Sequence, residues 1–330
     1  MKAIDMHCDT ITALLQQKKD NINQSLRKND LQVDLEKLRQ GDYLLQNFAV
    51  FTHLGKNDRL LHVQEAIDLY YQEIEKNNDI IKPVFSYEDI INNHQNGYIS
   101  AMLTLEEGDV VFNSLALLRN YYRLGVRMIT LTWNFQNAIG HPNFESHKDM
   151  TFEDLYKINT TDGLTSFGIN YIKEMERLGI IIDVSHLSDA GFYDVLKYTK
   201  KPFVASHSNA RSVCGVARNL SDDMIRKLAQ RGGVIGINYY GDFLQESKEG
   251  NAPSRIDDII KHIQHIVSIG GMDCIGLGSD FDGIDDNLEL INAAYVPKLQ
   301  KALQQHGFTQ ENIEKIFYKN VMRVYREILI

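Results

Sequence analysis

GIIIDVSHLSDAGFYDVLKYTKKPFVASHS, residues 179–208, holds one complete unit of the chain's architecture. A short β-branched run, 179–184, gives way to a segment of helical spacing at 188–199, and a second short apolar run follows at 202–206. Ser188 stands before the helical segment with Asp189 behind it, a hydroxyl that caps a helix start and a charge that suits it. Both short runs end in groups that bind metals or protons: Asp183-Val184-Ser185-His186 and Ser206-His207-Ser208.

The same alternation continues in both directions. Candidate strands lie at 3–7, 44–52, 99–105, 126–132, 179–184, 202–206, 233–238 and 274–279, and candidate helices at 57–77, 114–124, 163–178, 188–199, 221–231, 254–269, 287–304 and 310–328. In 163–178, Leu164, Phe167, Ile169, Ile172, Met175 and Leu178 mark a buried stripe that stops at Gly179, a C-cap; Ser221 is a second N-cap. Eight strands alternating with helices predict an α/β protein, a single (β/α)₈ TIM-type barrel domain over 1–330, against a doubly wound open sheet with a helical appendage. The polar stretch 133–162 reads as a long loop after the fourth strand, where such loops cover active sites, and 287–304 and 310–328 as C-terminal helices.

Composition narrows the function classes. With 43% hydrophobic and 24% charged residues the chain is an ordinary globular protein rather than a disordered one. Its 35 Lys+Arg against 44 Asp+Glu leave a net charge of −9, which repels phosphate backbones and anionic lipid, so neither nucleic acid nor membrane is an expected partner. Three separated cysteines, Cys8, Cys214 and Cys274, fit a reducing compartment. Asp5, His7 and Asp9 interrupt any leader-like apolar run, and no stretch is long enough to span a bilayer, so the expected location is cytoplasmic.

Ligand-type residues recur where barrel enzymes keep their chemistry. The first strand ends in His7-Cys8-Asp9, whose period of two aims both polar groups to one side. The third ends in Leu105-Glu106-Glu107-Gly108, the fifth at His186, the sixth at His207 and the eighth in Gly278-Ser279-Asp280-Phe281-Asp282-Gly283. Strand ends remote in sequence converge at the C-terminal face of a barrel. Imidazoles mixed with carboxylates suit Zn²⁺ better than Mg²⁺ or Ca²⁺, and three histidines with two carboxylates exceed one catalytic site, so two ions sharing a carboxylate fit better. Asp280 is placed to take a proton from an activated water; Asp282 reads as a stabiliser of the glycine-rich turn.

Taken in order, His7-x-Asp9, the Glu106 strand end, Asp183-Val184-Ser185-His186, Ser206-His207-Ser208-Asn209, Ala217-Arg218-Asn219 and Gly278-Ser279-Asp280-Phe281-Asp282-Gly283 resemble the membrane (renal) dipeptidase family over nearly the full length. The resemblance implies a binuclear zinc barrel, in a bacterial-type soluble form, that hydrolyses dipeptides, many members tolerating a D-residue on the carboxyl side, by a bridging hydroxide between two Zn²⁺ ions. It further implies that His7 and Asp9 hold one zinc, His186 and His207 the other, and Glu106 both; that Arg218 binds the substrate carboxylate, with Arg211 a nearby competitor; that Tyr240 rather than Tyr239 lines the pocket; and that Asp280 is the acid beside the water. A homodimer is implied by the resemblance only.

Two departures stand out. The family has Glu-Gly-Gly where this chain has Glu106-Glu107-Gly108, and its well-studied animal members place a histidine, which helps hold the substrate carbonyl, where this chain has Trp133. An indole N–H donates one hydrogen bond but carries no proton or charge, so stabilisation of the tetrahedral oxygen passes to the metals or to His141 or His147 in the loop. The alternatives are a binuclear amidohydrolase acting on another small amide or acylated amino acid, a catalytically silent zinc-binding homologue, and a metal-free module binding a sugar or amino acid.

Overall fold

The computed structural model describes residues 1–55, 58–143, 151–247, 250–284 and 287–329. Its parallel strands are β1 (Ala3–Asp5), β2 (Tyr43–Phe51), β3 (Ile81–Pro83), β4 (Ile99–Glu106), β5 (Val126–Thr130), β6 (Ile181–Asp183), β7 (Val204–Ala205), β8 (Val234–Ile237) and β9 (Ile275–Leu277). They pair in the order β2-β1-β9-β8-β7-β6-β5-β4, and β2 also pairs with β4, which closes eight strands into a TIM-type barrel surrounded by helices. The open-sheet alternative is thereby excluded.

β3 has no counterpart among the eight strands read from the sequence. Ser100 and Ala101 pair with Leu45 and Gln46 of β2 on one edge and with Lys82 and Pro83 of β3 on the other. β3 therefore occupies the part of that edge below Leu103, where β5 begins to pair. Three residues that include a lysine and a proline leave no apolar run to recognise.

The barrel interior holds Ile4, Met6, Leu45, Met102, Met128, Ile181, Val204 and Val234, one buried cluster with Val321, Val324, Tyr325 and Ile328 of the helix Asn320–Ile328. Most of these strand residues lie in the first half of their strands, so this helix closes the barrel at the end opposite the strand C-termini. The Asn47 amide donates to the Tyr325 hydroxyl at 2.7 Å and to the Met6 carbonyl at 3.1 Å, tying the plug to β1 and β2. The outward strand faces share a larger apolar core with the surrounding helices.

Several expected elements shift. The predicted 57–77 runs Arg59–Lys76, and 254–269 runs Ile256–Gly270. The predicted 163–178 starts at Ser166, and its buried side is Gly168, Tyr171, Ile172 and Met175; Leu164, Phe167, Ile169 and Leu178 are only partly buried. The predicted 287–304 contracts to a 3₁₀ turn, Ala293–Tyr295, and the helix Val296–Gln305, while 310–328 is helical throughout with a π turn at Lys315–Lys319. Helices Thr10–Lys19, Leu35–Gln40 and Tyr87–Gln95 were not anticipated. Ser188 and Ser221 do cap their helices by accepting from Gly191 N and Met224 N, and Gly179 ends its helix at φ +79°. After β5 the chain carries the expected long connection, with a 3₁₀ turn at Phe152–Tyr156. Among the described residues, no helix is long and apolar enough to cross a membrane.

Candidate metal and active site

Each strand end that carries a ligand-type residue is shaped by buried polar contacts. Asp5, the last residue of β1, accepts from Ser279 N at 2.9 Å, Ser279 Oγ at 2.6 Å and His7 N at 3.3 Å, fastening the turn after β9 to the turn after β1. Asp183 does the same between β6 and β7, accepting from Ser185 N at 3.0 Å, Ser206 N at 2.8 Å, Ser206 Oγ at 2.5 Å and Thr130 Oγ1 at 2.6 Å. Asp183 is thus consumed by its neighbours and is no ligand candidate. A side chain on Gly278 would lie 1.8 Å from the Ser206 carbonyl oxygen, so only glycine lets β9 approach here.

These turns bring five predicted residues together. His7 Nε2 lies 3.3 Å from Asp9 Oδ2 and 3.3 Å from Glu106 Oε2; His186 Nε2 lies 3.1 Å and His207 Nε2 3.5 Å from Glu106 Oε1. Glu106 therefore turns one oxygen to His7 and the other to the His186–His207 pair. Asp280 Oδ1 is 3.7 Å from His7 Nε2, so Asp280 also stands within reach of an ion held by His7 and Asp9. Cβ at Gly283 would fall 2.3 Å from Asp9 Oδ2 and 2.8 Å from Asp280 Oδ1; glycine there keeps the cluster open.

The donor set fits cations. His7 Nδ1, His7 Nε2 and Asp9 Oδ1 are buried without a hydrogen-bond partner, which is costly unless something else binds them. His186 Nδ1 lies 2.8 Å from the Asn134 amide oxygen, which can only accept, so the proton sits on Nδ1. Ser206 Oγ donates to Asp183 and accepts from His207 Nδ1 at 2.7 Å, fixing the same tautomer. Both histidines then aim bare Nε2 lone pairs at each other across 3.0 Å, an arrangement that calls for a positive charge between or beside them.

The electrostatics agree. Burial and the nearby Arg218 guanidinium hold His186 down to about 4, and burial together with His7 and Arg218 hold His207 well below the usual imidazole range, so both stay neutral. Burial works against charging His7, yet Glu106 and Asp9 hold it well above that range. Burial, with the Asp9 and Glu106 charges outweighing the pull of His7, pushes Asp280 up to about 7. Its other oxygen accepts from Asn238 Nδ2 at 2.9 Å.

A cavity of about 630 Å³ opens over the cluster. Asp9, Glu106, His186 and Asp280 form its floor, Phe51, Trp133 and Asn134 one stretch of wall, and Tyr240, Phe243, Val216 and Ile284 another. Tyr239 is buried with its ring against Phe281 at 5.6 Å, so Tyr240 is the tyrosine that meets the cavity. Arg211 is committed to Asp189 at 2.7 and 2.8 Å and to the Ala217 and Asn219 carbonyls. Arg218, which does not line the cavity either, is buried behind Phe243, donates to Ser208 Oγ at 2.8 Å and His207 O at 2.9 Å, and leaves Nε unpartnered. Asp282 accepts from Thr10 Oγ1 and Gln32 N, both at 2.6 Å, which is the turn-stabilising place read from the sequence. His141 is not among the residues lining the cavity, and His147 lies outside the described residues.

Sequence reasoning passed over Asp5, Asn134, Asn238 and Phe51. One signal was present: serine directly precedes a cluster residue three times, in Ser185-His186, Ser206-His207 and Ser279-Asp280, and each serine meets a buried aspartate.

Comparison with known proteins gives a consistent picture. The model of the membrane dipeptidase family, peptidase family M19, matches residues 1–329. An uncharacterised dipeptidase of Schizosaccharomyces pombe is 36% identical over 310 residues, covering 89% of this chain and 71% of that protein. Among solved structures, the M19 metallopeptidase called dipeptidase AC superposes with a TM-score of 0.88 at 22% identity, covering 100% and 99% of the two chains. A Rhodobacter sphaeroides metallopeptidase bound to a phosphinate mimic of L-Ala-D-Ala superposes with a TM-score of 0.87 at 22% identity, covering 99% of each.

Proposed function

Because the chain belongs to the membrane dipeptidase family of metal-dependent peptidases, we propose that it is a zinc dipeptidase, one hydrolase domain over residues 1–330, that cleaves dipeptides, including those with a D-residue on the carboxyl side. The observation that carries this reading is Glu106, whose two oxygens face two separate sets of ligand atoms. His7 and Asp9 would hold one Zn²⁺, His186 and His207 the other, with Glu106 shared. The two ions would supply a water acidic enough to attack at neutral pH and would polarise the scissile carbonyl.

The chain's own groups do the rest. Arg218 brings a guanidinium with an unpartnered Nε, suited to the planar α-carboxylate of a dipeptide. Asp280, with Oδ1 3.7 Å from His7 Nε2 at the cavity floor, takes the proton released as the water attacks and returns it to the leaving amine. Tyr240 and Trp133 contribute walls that shape the side-chain space. The mimic of L-Ala-D-Ala bound by the Rhodobacter sphaeroides metallopeptidase supports the D-residue as part of the proposal. The protein would act in the cytoplasm on small substrates, as a monomer or a homodimer.

The test is a stereochemically varied dipeptide panel on metal-analysed protein before and after chelation. Two zinc equivalents, loss of turnover on chelation and recovery with zinc are the expected results. Two bound equivalents with no dipeptide cleaved would overturn the catalytic reading in favour of a silent metal-binding homologue.

A further inference from the structure

Glu107 follows directly after Glu106 but does not reach the cavity. It is fully buried and sits at φ +82°, a left-handed conformation that favours glycine and strains a residue that carries a side chain. Its carboxylate accepts three hydrogen bonds from two segments: Asp109 N at 2.9 Å and Asn137 Nδ2 at 2.5 Å on Oε1, and Trp133 N at 3.0 Å on Oε2. No lysine or arginine pairs with it among the described residues. A carboxylate buried at a strained position and held only by neutral donors needs a reason beyond capping the 3₁₀ turn at Gly108–Val111, for which Asp109 N alone would serve.

The reason lies in the turn after β5. Asn137 Oδ1 accepts from Ile139 N at 2.8 Å and Gly140 N at 2.9 Å, and its amide also reaches the Leu131 carbonyl at 3.0 Å, so residues 131–140 form one closed turn hung on Glu107. That turn presents two groups to the cavity. The Trp133 ring stands edge-on to Phe51, centroids 5.0 Å apart, and 6.2 Å from His186, while Asn134 holds the His186 Nδ1 proton.

We propose that Glu107 is a positioning residue: its carboxylate braces the turn after β5 so that Trp133 forms an apolar wall of the substrate cavity and Asn134 orients His186. The part concerning substrate rests on the dipeptidase reading; the part concerning Trp133 does not. A dipeptide with a bulky apolar side chain gains most from an indole fixed against Phe51, and glycyl dipeptides gain least.

Trp133 is the only tryptophan of the chain, so intrinsic fluorescence reports on this wall alone. The experiment compares wild type, Glu107→Gly, which relieves the backbone, and Glu107→Gln, which keeps one acceptor and turns an amide N–H₂ toward another donor. Emission, acrylamide quenching, zinc content and the kinetics of a leucyl and a glycyl dipeptide are recorded. In metal-free Glu107→Gly, Trp133 emission moves to longer wavelength and quenching rises, with Glu107→Gln in between. In the zinc-loaded proteins kcat/KM for the leucyl substrate falls on the order of 10- to 100-fold, more through KM than kcat, with a smaller loss for the glycyl one. Wild-type emission and quenching in both variants, or equal kinetic losses on both substrates, would overturn the brace. If Glu107→Gly does not fold, Glu107→Gln is read by the same criteria. If wild type cleaves no dipeptide, the functional reading fails while the fluorescence comparison still decides whether Glu107 sets Trp133.

Discussion

Asp280 stands both within ligand distance of the His7 side and in a hydrogen bond with Asn238, and replacing one of its oxygens separates these capacities. Asp280→Asn is expected to keep the bound zinc, measured by metal analysis, while kcat falls by about 10²–10⁴, the usual worth of a positioned acid–base group. Loss of one zinc equivalent instead would make Asp280 a ligand. Arg218→Ala should raise KM for free-carboxylate dipeptides far more than for their C-terminal amides, and an equal effect on both would exclude the clamp. At this scale much of the candidate site was legible, because His7 and Asp9, Glu106, His186, His207 and Asp280 are ligand-type residues spread over five strand ends. The supporting groups were not. Asp5 reads as an ordinary acid near the N-terminus until Ser279, remote in sequence, is seen to donate to it.

Among the elements, the helix Ile256–Gly270 carries a histidine with no part in the chemistry. His262 Nδ1 accepts from Ala210 N at 3.0 Å and Nε2 donates to the Leu244 carbonyl at 2.9 Å, joining this helix to the turns after β7 and β8. Burial holds it down to about 4, against about 6.5 in an unfolded chain. Between these values the unfolded state binds a proton that the folded state refuses, so the stability is complete above about 6.5 and drains as pH falls toward 4. Urea unfolding of metal-free protein at pH 7 and pH 5 should show a pH-dependent loss smaller by about 2 kcal/mol in His262→Gln than in wild type. Identical losses would show that His262 is not protonated on unfolding in that range. Long periodic segments such as Arg59–Lys76 were legible as elements, whereas β3 was not, since it is defined by an edge of β4 left open below Leu103 rather than by its own residues.

For the molecule as a whole, closure can be tested from both ends of the barrel. Tyr325→Phe removes the hydroxyl that receives the Asn47 amide inside the barrel; a loss of about 1–3 kcal/mol in unfolding free energy, with unchanged metal content and kcat, is expected because the two sites lie at opposite ends. At the other end, zinc at 100 times its dissociation constant should raise the unfolding free energy by about 2.7 kcal/mol per site, and a melting temperature insensitive to chelation would contradict binding at this cluster. The barrel architecture was legible from the count of alternating strands and helices, but its plug was not, because the apolar stripe of 310–328 looks the same whether it covers the outside of a barrel or its bore.

The seam between β1 and β9 also sets a timetable. Asp5 pairs with Leu277 and fastens to Ser279, and Asn47 waits for Tyr325, so residues at the start of the chain find their partners only after some 270 more have been made. At ribosomal speeds of roughly 5–20 residues per second, β1 spends on the order of 15 to 50 seconds with one edge unpaired and the cluster side chains of His7 and Asp9 without Asp280. Long-range parallel pairing of this kind is slow and leaves sticky edges exposed meanwhile. The cluster therefore reaches its full geometry only after β9 and the turn that carries Asp280 have been made.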